Sequence, residues 1–210
     1  MNPRMNPRRP DRSKKAFTFL VILGLLGEPM SKAYADSTDQ VLFQRNEISL
    51  EVGNYSLKSP TTTTSSMGAL SVGYNHYFTP HFSADIAYQN ILATQGAIRS
   101  IISGVDVGVN YCFFSCVTEL RSMNGLIQVT ERDRFGILLG VGFAERFIQL
   151  PEAAANFSGT FERIQGNYFI DQDKKILMEV QNASLVNGVN SITSFTIMLG
   201  IGFLLGAPSE

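Results

Sequence analysis

Charge is scarce in this chain: 17% of its 210 residues are Asp, Glu, Lys or Arg, and the formal net charge is −1. A nucleic-acid binder carries a basic excess, so that class is disfavoured. Two cysteines are too few for a disulfide-rich miniprotein, and 44% hydrophobic residues are too many for a disordered tail. Tryptophan is absent and there are only two histidines, His76 and His81, with no third ligand near them in sequence. No metal site and no cofactor are expected from so thin a ligand set. Beyond residue 35 no window holds 18 unbroken apolar residues, which excludes a membrane-spanning helix there.

The charge is also unevenly placed. Residues 1–35 carry seven Lys and Arg against Asp11 and Glu28, so the remainder holds 10 basic and 16 acidic groups, a net of −6. After the basic start comes a twelve-residue apolar run, Ala16 to Gly27. That run is too short to cross a bilayer, which takes about 20 residues, but fits the apolar part of a secretory signal. Glu28-Pro29 ends it, and Ala33-Tyr34-Ala35 supplies the small-x-small pattern of a cleavage site. Cleavage between Ala35 and Asp36 is expected. The domain layout is therefore a signal peptide at 1–35 and a mature domain at 36–210.

The mature chain alternates with period two. Outward candidates such as Ile48, Leu50 and Val52 alternate with Glu47, Ser49 and Glu51. Equivalent runs centre on residues 70–75, 82–89, 104–111, 136–143, 176–181 and 195–203, with a weaker segment at 159–170. Alternation gives each strand one apolar and one small or polar face. The non-apolar face is mostly Gly, Ala, Ser and Asn, which suits a narrow barrel interior better than water. An all-β, antiparallel up-and-down transmembrane barrel follows, with strands within about 46–205. A periplasmic β-sandwich is the competing reading. Tyr55, Tyr77, Phe78, Tyr88, Tyr111, Phe113, Phe135, Tyr168, Phe169 and Phe203 are expected to form interfacial girdles.

Turn chemistry supports eight strands. Thr79-Pro80-His81 and Asp171 to Lys174 read as short inner turns, while 58–66, 92–100, 149–157 and 185–190 read as longer outer loops. Residues 114–134 form an inner link of about twenty residues. It has room for a short helix around 117–123, or for a hairpin that would make ten strands.

On these patterns the chain resembles the small eight-stranded outer-membrane β-barrels of Gram-negative bacteria, the OmpA-like class, with porin-like and cell-surface members. The resemblance rests on Gly-Tyr-Asn-His-Tyr-Phe-Thr-Pro-His-Phe at 73–82 and Phe-Thr-Ile-Met-Leu-Gly-Ile-Gly-Phe at 195–203. The second is similar to the terminal-strand signal of that class, although Leu204 to Glu210 follow its aromatic end. It implies an outer-membrane location, contact with lipid and lipopolysaccharide, folding by periplasmic chaperones and the barrel-assembly machinery, and a monomer.

The chemistry-bearing residues are few. Glu51, Asp85, Asp106 and Glu179 share the inward parity of their strands, and Arg163 joins them, with Arg146 a further candidate. Charges facing lipid cost roughly 2–4 kcal/mol for basic groups, so a lumen network is the cheaper arrangement. Arg163 combines mid-strand position with inward parity and is expected to pair with Asp85, Asp106 or both. Cys112 and Cys116, separated by three residues, are expected to pair in an oxidising periplasm. His81-Phe82-Ser83 has a His-x-Ser spacing that fits acyl chemistry, but at the wrong end of the barrel for lipid A. The function expected is a non-enzymatic structural or surface-interaction barrel with a filled lumen. A small cation-preferring pore is the alternative, and a lipid-modifying enzyme, on fold analogy alone, the third.

Overall fold

The computed structural model describes residues 40–59, 63–95, 98–114, 116–123, 126–129, 134–149 and 154–206. The signal segment and its cleavage site lie outside them. The strands are β1 (Gln40–Phe43), β2 (Asn46–Lys58), β3 (Thr63–Thr79), β4 (Phe82–Gln95), β5 (Ile98–Cys112), β6 (Glu119–Met123), β7 (Leu126–Val129), β8 (Phe135–Gln149), β9 (Ala154–Phe169), β10 (Lys174–Asn187) and β11 (Asn190–Leu205). Eight of them close an antiparallel barrel in the order β10-β11-β2-β3-β4-β5-β8-β9. The remaining three form a small sheet, β1-β6-β7. The link after β5 thus holds the hairpin foreseen as one option, but that hairpin pairs with β1 outside the barrel wall.

The register fixes the tilt. A row of paired residues starting at Ile137 passes through Gly166, Met178, Leu199, Val52, Leu70, Asn90 and Ser103. It returns to β8 at Phe147, ten residues further on. A stagger of that size in a narrow barrel inclines the strands by ~40°. At ~3.3 Å per residue and that tilt, the outward apolar run of β8 from Phe135 to Phe143 stands about 20 Å tall. The class norm for a lipid-facing band is ~25 Å.

Alternation sorts the side chains as the sequence pattern requires. Outward Leu50, Val72, Ile86, Val107, Val141, Ile164, Met178 and Leu199 are exposed, while Glu51, Ser71, Asp85, Asp106, Arg163, Gln165 and Glu179 are buried. Exposed apolar groups in this number, on every strand, make the barrel exterior a lipid-facing belt. At the lower end the belt is edged by exposed Tyr74, Phe78, Tyr111, Phe113, Phe135, Tyr168 and Phe203. Ring contacts tie part of this edge together: His76 meets Phe78 edge-on at 5.1 Å, and Tyr111 meets Phe113 edge-on at 5.4 Å.

Two expectations need correction. Tyr55, Tyr77 and Phe169 are not girdle residues: they share the parity of Glu51, Ser71 and Asn167, point inward, and are at most 2% exposed. The upper links are also shorter than expected. β2 and β3 are separated by residues 59–62, β4 and β5 by 96–97, β8 and β9 by 150–153, and β10 and β11 by 188–189. The polar stretches read as loops are instead continued strand, because in-register pairing satisfies their backbone groups.

Candidate functional site: a sealed, charged lumen

From bottom to top the barrel interior has three parts: an apolar plug, a charged middle and a second apolar plug. The lower plug packs Phe43, Cys116 and Val117, from β1 and the link after β5, against Tyr77, Leu138, Phe169 and Leu204 of the wall. Cys112, the last residue of β5, is bonded to Cys116, with the two Cα atoms 6.0 Å apart. The disulfide holds the turn so that Cys116 and Val117 enter the mouth, where both are fully buried. Thr118 Oγ1 donates to the Gln172 carbonyl at 2.6 Å and pins the same turn to the β9–β10 link.

Above this plug lies Lys175, fully buried. Its ammonium meets Glu47 Oε2 at 2.8 Å and donates to Tyr77 Oη at 3.1 Å and to the Cys116 carbonyl at 3.2 Å. Three donors and three acceptors leave the ammonium satisfied. Tyr77 Oη in turn donates to Glu47 Oε2 at 2.6 Å. Neither Glu47 nor Lys175 was singled out from sequence, yet both carry the parity of their strands' buried positions. Extending the β10 pattern one step below Ile176 would have found Lys175.

The middle of the lumen is built around Arg163. Its Nη2 pairs with Asp85 Oδ1 and donates to Asn110 Oδ1 at 2.7 Å, while Nη1 lies 3.5 Å from Glu179 Oε2. Asn110 Nδ2 closes the cluster by donating to Asp85 Oδ1 at 3.0 Å. Glu51 stands beside these groups and accepts from Ser49 Oγ at 3.1 Å. A cavity of ≈ 20 Å³ lies among Glu51, Ser71, Asp85, Arg163 and Glu179, room for about one water.

Asp106 has a different partner from the one expected. Arg146 grips both of its oxygens, with Nη2 to Oδ2 at 2.8 Å, and also donates to Gln89 Oε1 at 3.1 Å. Gln89 and Gln181 donate to Asp106 Oδ2 at 3.0 and 2.9 Å. Arg163 is therefore not the only inward base in mid-barrel, and it does not serve Asp106. Each arginine makes its own pair because two glycines make room. A Cβ on Gly104 would lie 2.6 Å from Arg146 Cδ, and one on Gly140 would lie 2.7 Å from Arg163 Nε. Both approaches are closer than any Cβ tolerates.

The upper plug is apolar. Tyr55, Ala69, Ile91, Ile102 and Met198 form one cluster. Ala144, Phe161, Ala183, Leu185 and Ile192 form another, and Leu57 and Ile148 pack against both. Here the sidedness of the wall inverts. On β2 the outward Ile48, Leu50 and Val52 give way to Asn54, Ser56 and Lys58, while the inward side passes from Glu47 and Glu51 to Tyr55 and Leu57. On β9 the outward side changes from Tyr168 and Ile164 to Glu162, Thr160, Ser158 and Asn156. On β10 it changes from Met178 and Val180 to Asn182 and Ser184. Apolar-out and polar-in becomes polar-out and apolar-in. Outward Ile101, Phe147, Val186 and Phe195 depart from this pattern.

The histidines do not form a catalytic pair. His76 Nδ1 is 2.9 Å from Asn46 Oδ1, and exposed His81 donates from Nδ1 to the Cys112 carbonyl at 3.1 Å. Ser83 is buried and accepts from Asn110 Nδ2 at 3.3 Å, so its hydroxyl faces the lumen network. Among the described residues no group of three or more His, Cys, Asp or Glu is arranged to hold a metal ion.

No protein-family model matches this sequence, and no curated protein does. Solved structures do match in fold. Neisserial surface protein A is similar with a TM-score of 0.58 and 7% identity over 76% of this chain and 97% of that one. The outer membrane protein OprG from Pseudomonas aeruginosa is similar with a TM-score of 0.51 and 11% identity over 79% of this chain and 98% of that one. Likeness at such identity speaks to the fold. The chain has the fold of the small eight-stranded outer-membrane β-barrels, and its apolar belt is the surface such a barrel turns to lipid.

Proposed function

We propose that the protein is a non-enzymatic structural and surface-interaction barrel of the outer membrane. It is exported by a cleaved signal at 1–35 and handed by periplasmic chaperones to the barrel-assembly machinery through its terminal strand. The observation that carries this reading is the lumen: an ion-paired middle capped by apolar side chains at both ends. Eight strands enclose just enough room for side chains, and here those side chains are bonded to one another. A conducting path would have to pass Val117 and Phe43 below and Ile91, Ile102 and Leu185 above, all of them buried.

The test is single-channel recording in planar bilayers, after the heat-modifiable gel band has verified the fold. We expect no stepwise conductance. Steady cation-selective steps would overturn the reading and favour the pore. Mass spectrometry of lipid A from cells with and without the gene should show no difference; a changed acyl pattern would instead make the protein an enzyme.

A further inference from the structure

The lumen holds more acid than base. Among the described residues Glu47, Glu51, Asp85, Asp106 and Glu179 are buried, against Arg146, Arg163 and Lys175. Two of the bases are committed, Lys175 to Glu47 and Arg146 to Asp106. Arg163 alone then faces Asp85, Glu179 and Glu51, which leaves an excess of two negative charges between the plugs. Its own ion pairs go to Asp85 and Glu179. Glu51 has no ion-pair partner among the described residues.

The unmatched charge has a definite place. Glu51 is 6% exposed; its Oε1 accepts from Ser49 Oγ at 3.1 Å, and its Oε2 accepts from nothing. Asn75 Oδ1, likewise shielded from solvent, is a second acceptor left without a donor. Both residues line the ≈ 20 Å³ cavity, with Ser49, Ser71 and Gly73 beside them. Gly73 keeps the space open, because a Cβ there would lie 2.5 Å from Ser49 Oγ. Arg163 offers no spare donor on this side: Nε, its nitrogen without an acceptor, lies against Gly140 of β8.

What such a cavity takes follows from charge and room. A water donates to two acceptors but leaves the charge excess where it is, in surroundings that screen poorly. Ca²⁺ takes about six to eight oxygens and Mg²⁺ keeps several waters, and a space for about one water holds neither shell. Among the described residues no three His, Cys, Asp or Glu converge for such an ion either. A bare monovalent cation held by oxygens meets both demands. The scarcity of His and Cys in the sequence does not count against it, since hard cations take oxygen ligands.

We infer that this cavity is a sodium site. Glu51 Oε2 and Asn75 Oδ1 hold the ion, and Ser49 Oγ, whose hydrogen goes to Glu51 Oε1, keeps lone pairs to turn toward it. The ion is enclosed as the barrel closes, and it brings the middle of the lumen to within one charge of balance. The site goes beyond the sealed-barrel reading, which neither requires nor forbids it.

The full chain, folded in phosphatidylcholine vesicles and unfolded with urea, supplies the test, with choline chloride replacing sodium chloride at constant ionic strength. Once sodium exceeds its dissociation constant, each further tenfold rise should raise the folded-to-unfolded ratio about tenfold. Glu51→Gln keeps the shape, loses the charge and should abolish that dependence, whereas Glu162→Gln on the outer face of β9 should keep it. Gly73→Ala, which fills the cavity without touching a charge, should abolish it too. Should the lumen variants fold poorly, the parent answers alone: folded in detergent micelles with radioactive sodium and then desalted, it should carry the label and release it on heating. Four results would each overturn the inference. Choline may stabilise as well as sodium does, which is screening. The sodium dependence may survive in Glu51→Gln, or the desalted parent may carry no label. Last, the parent may ignore sodium, and a gain in stability on acidification would then put a proton in the ion's place. Conductance, recorded on the same vesicles, judges the sealed-barrel reading independently of these outcomes.

Discussion

Replacing Arg146 by methionine asks whether the lumen is dry. The guanidinium is fully buried and makes four hydrogen bonds, two to Asp106, one to Gln89 and one to the Glu145 carbonyl. Arg146→Met removes all four and leaves the Asp106 carboxylate with two amide donors, from Gln89 and Gln181. Breaking one side of a buried ion pair costs ~3–5 kcal/mol, because the remaining charge stays desolvated. Removing both charges is far cheaper, so Arg146→Met/Asp106→Leu should lose only the bonds of the two glutamines, ~1–3 kcal/mol. Urea-driven unfolding from vesicles, scored by the heat-modifiable band, measures both variants. The ordering is the sharp part: the single variant must be the weaker protein although it keeps more of the network. A single variant within ~1 kcal/mol of the parent is what a solvated pair would give. That result would mean that water fills this level of the barrel, and the sealed lumen would fall with it.

Arg163→Ala strips Asp85 and Glu179 of their cation and should lower the thermal transition of the folded band, whereas Lys58→Ala, exposed at the upper rim, should leave it unchanged; equal transitions would refute the pairing scheme. Alkylation of denatured, non-reduced protein should find no free thiol, since Cys112 and Cys116 are bonded, and labelling of both would remove the clamp from the lower plug. Cys112→Ser/Cys116→Ser should cost ~2 kcal/mol from loop closure over so short a loop, with proteolysis between residues 116 and 129 as its visible consequence. N-terminal sequencing of membrane-extracted protein should begin at Asp36, and an intact Met1 or Met5 would end the export argument.

The strands were legible because a period of two is strict. Once Glu51, Asp85, Asp106, Arg163 and Glu179 shared a parity with small residues, their common side followed from pleating alone. Partnership did not follow. Which arginine serves Asp106 depends on shear, and the ten-residue stagger from Ile137 to Phe147 is a property of the closed barrel that no single strand displays. Gly104 and Gly140 read as lumen filler, yet they are the vacancies into which Arg146 and Arg163 fold. Nearness to a strand end suggests a girdle place for Tyr55, Tyr77 and Phe169, but their parity turns all three into the lumen. The overestimate of the loops has a related cause: Thr63, Thr64 and Asn156 look like turn chemistry, but a paired strand holds them equally well.

That last point explains why the barrel is plugged above as well as below. β9 has 16 residues, and at ~3.3 Å each and a ~40° tilt it climbs about 40 Å, against a lipid-facing band of ~25 Å. Roughly 15 Å of wall must therefore stand in water. A wall in water cannot keep an apolar exterior, so Glu162, Thr160 and Ser158 face out there. Its interior then has to supply the burial that lipid supplies lower down, and Phe161, Leu185, Ile192 and Ile102 do so. The upper plug is thus the core of a small water-soluble barrel stacked on a membrane one, and the charged network between the plugs is cut off from solvent by the way the wall keeps its own two faces satisfied. A protein built to conduct would need a polar interior continued through the projecting wall, with some other means of stabilising it, and this chain uses those positions for apolar side chains.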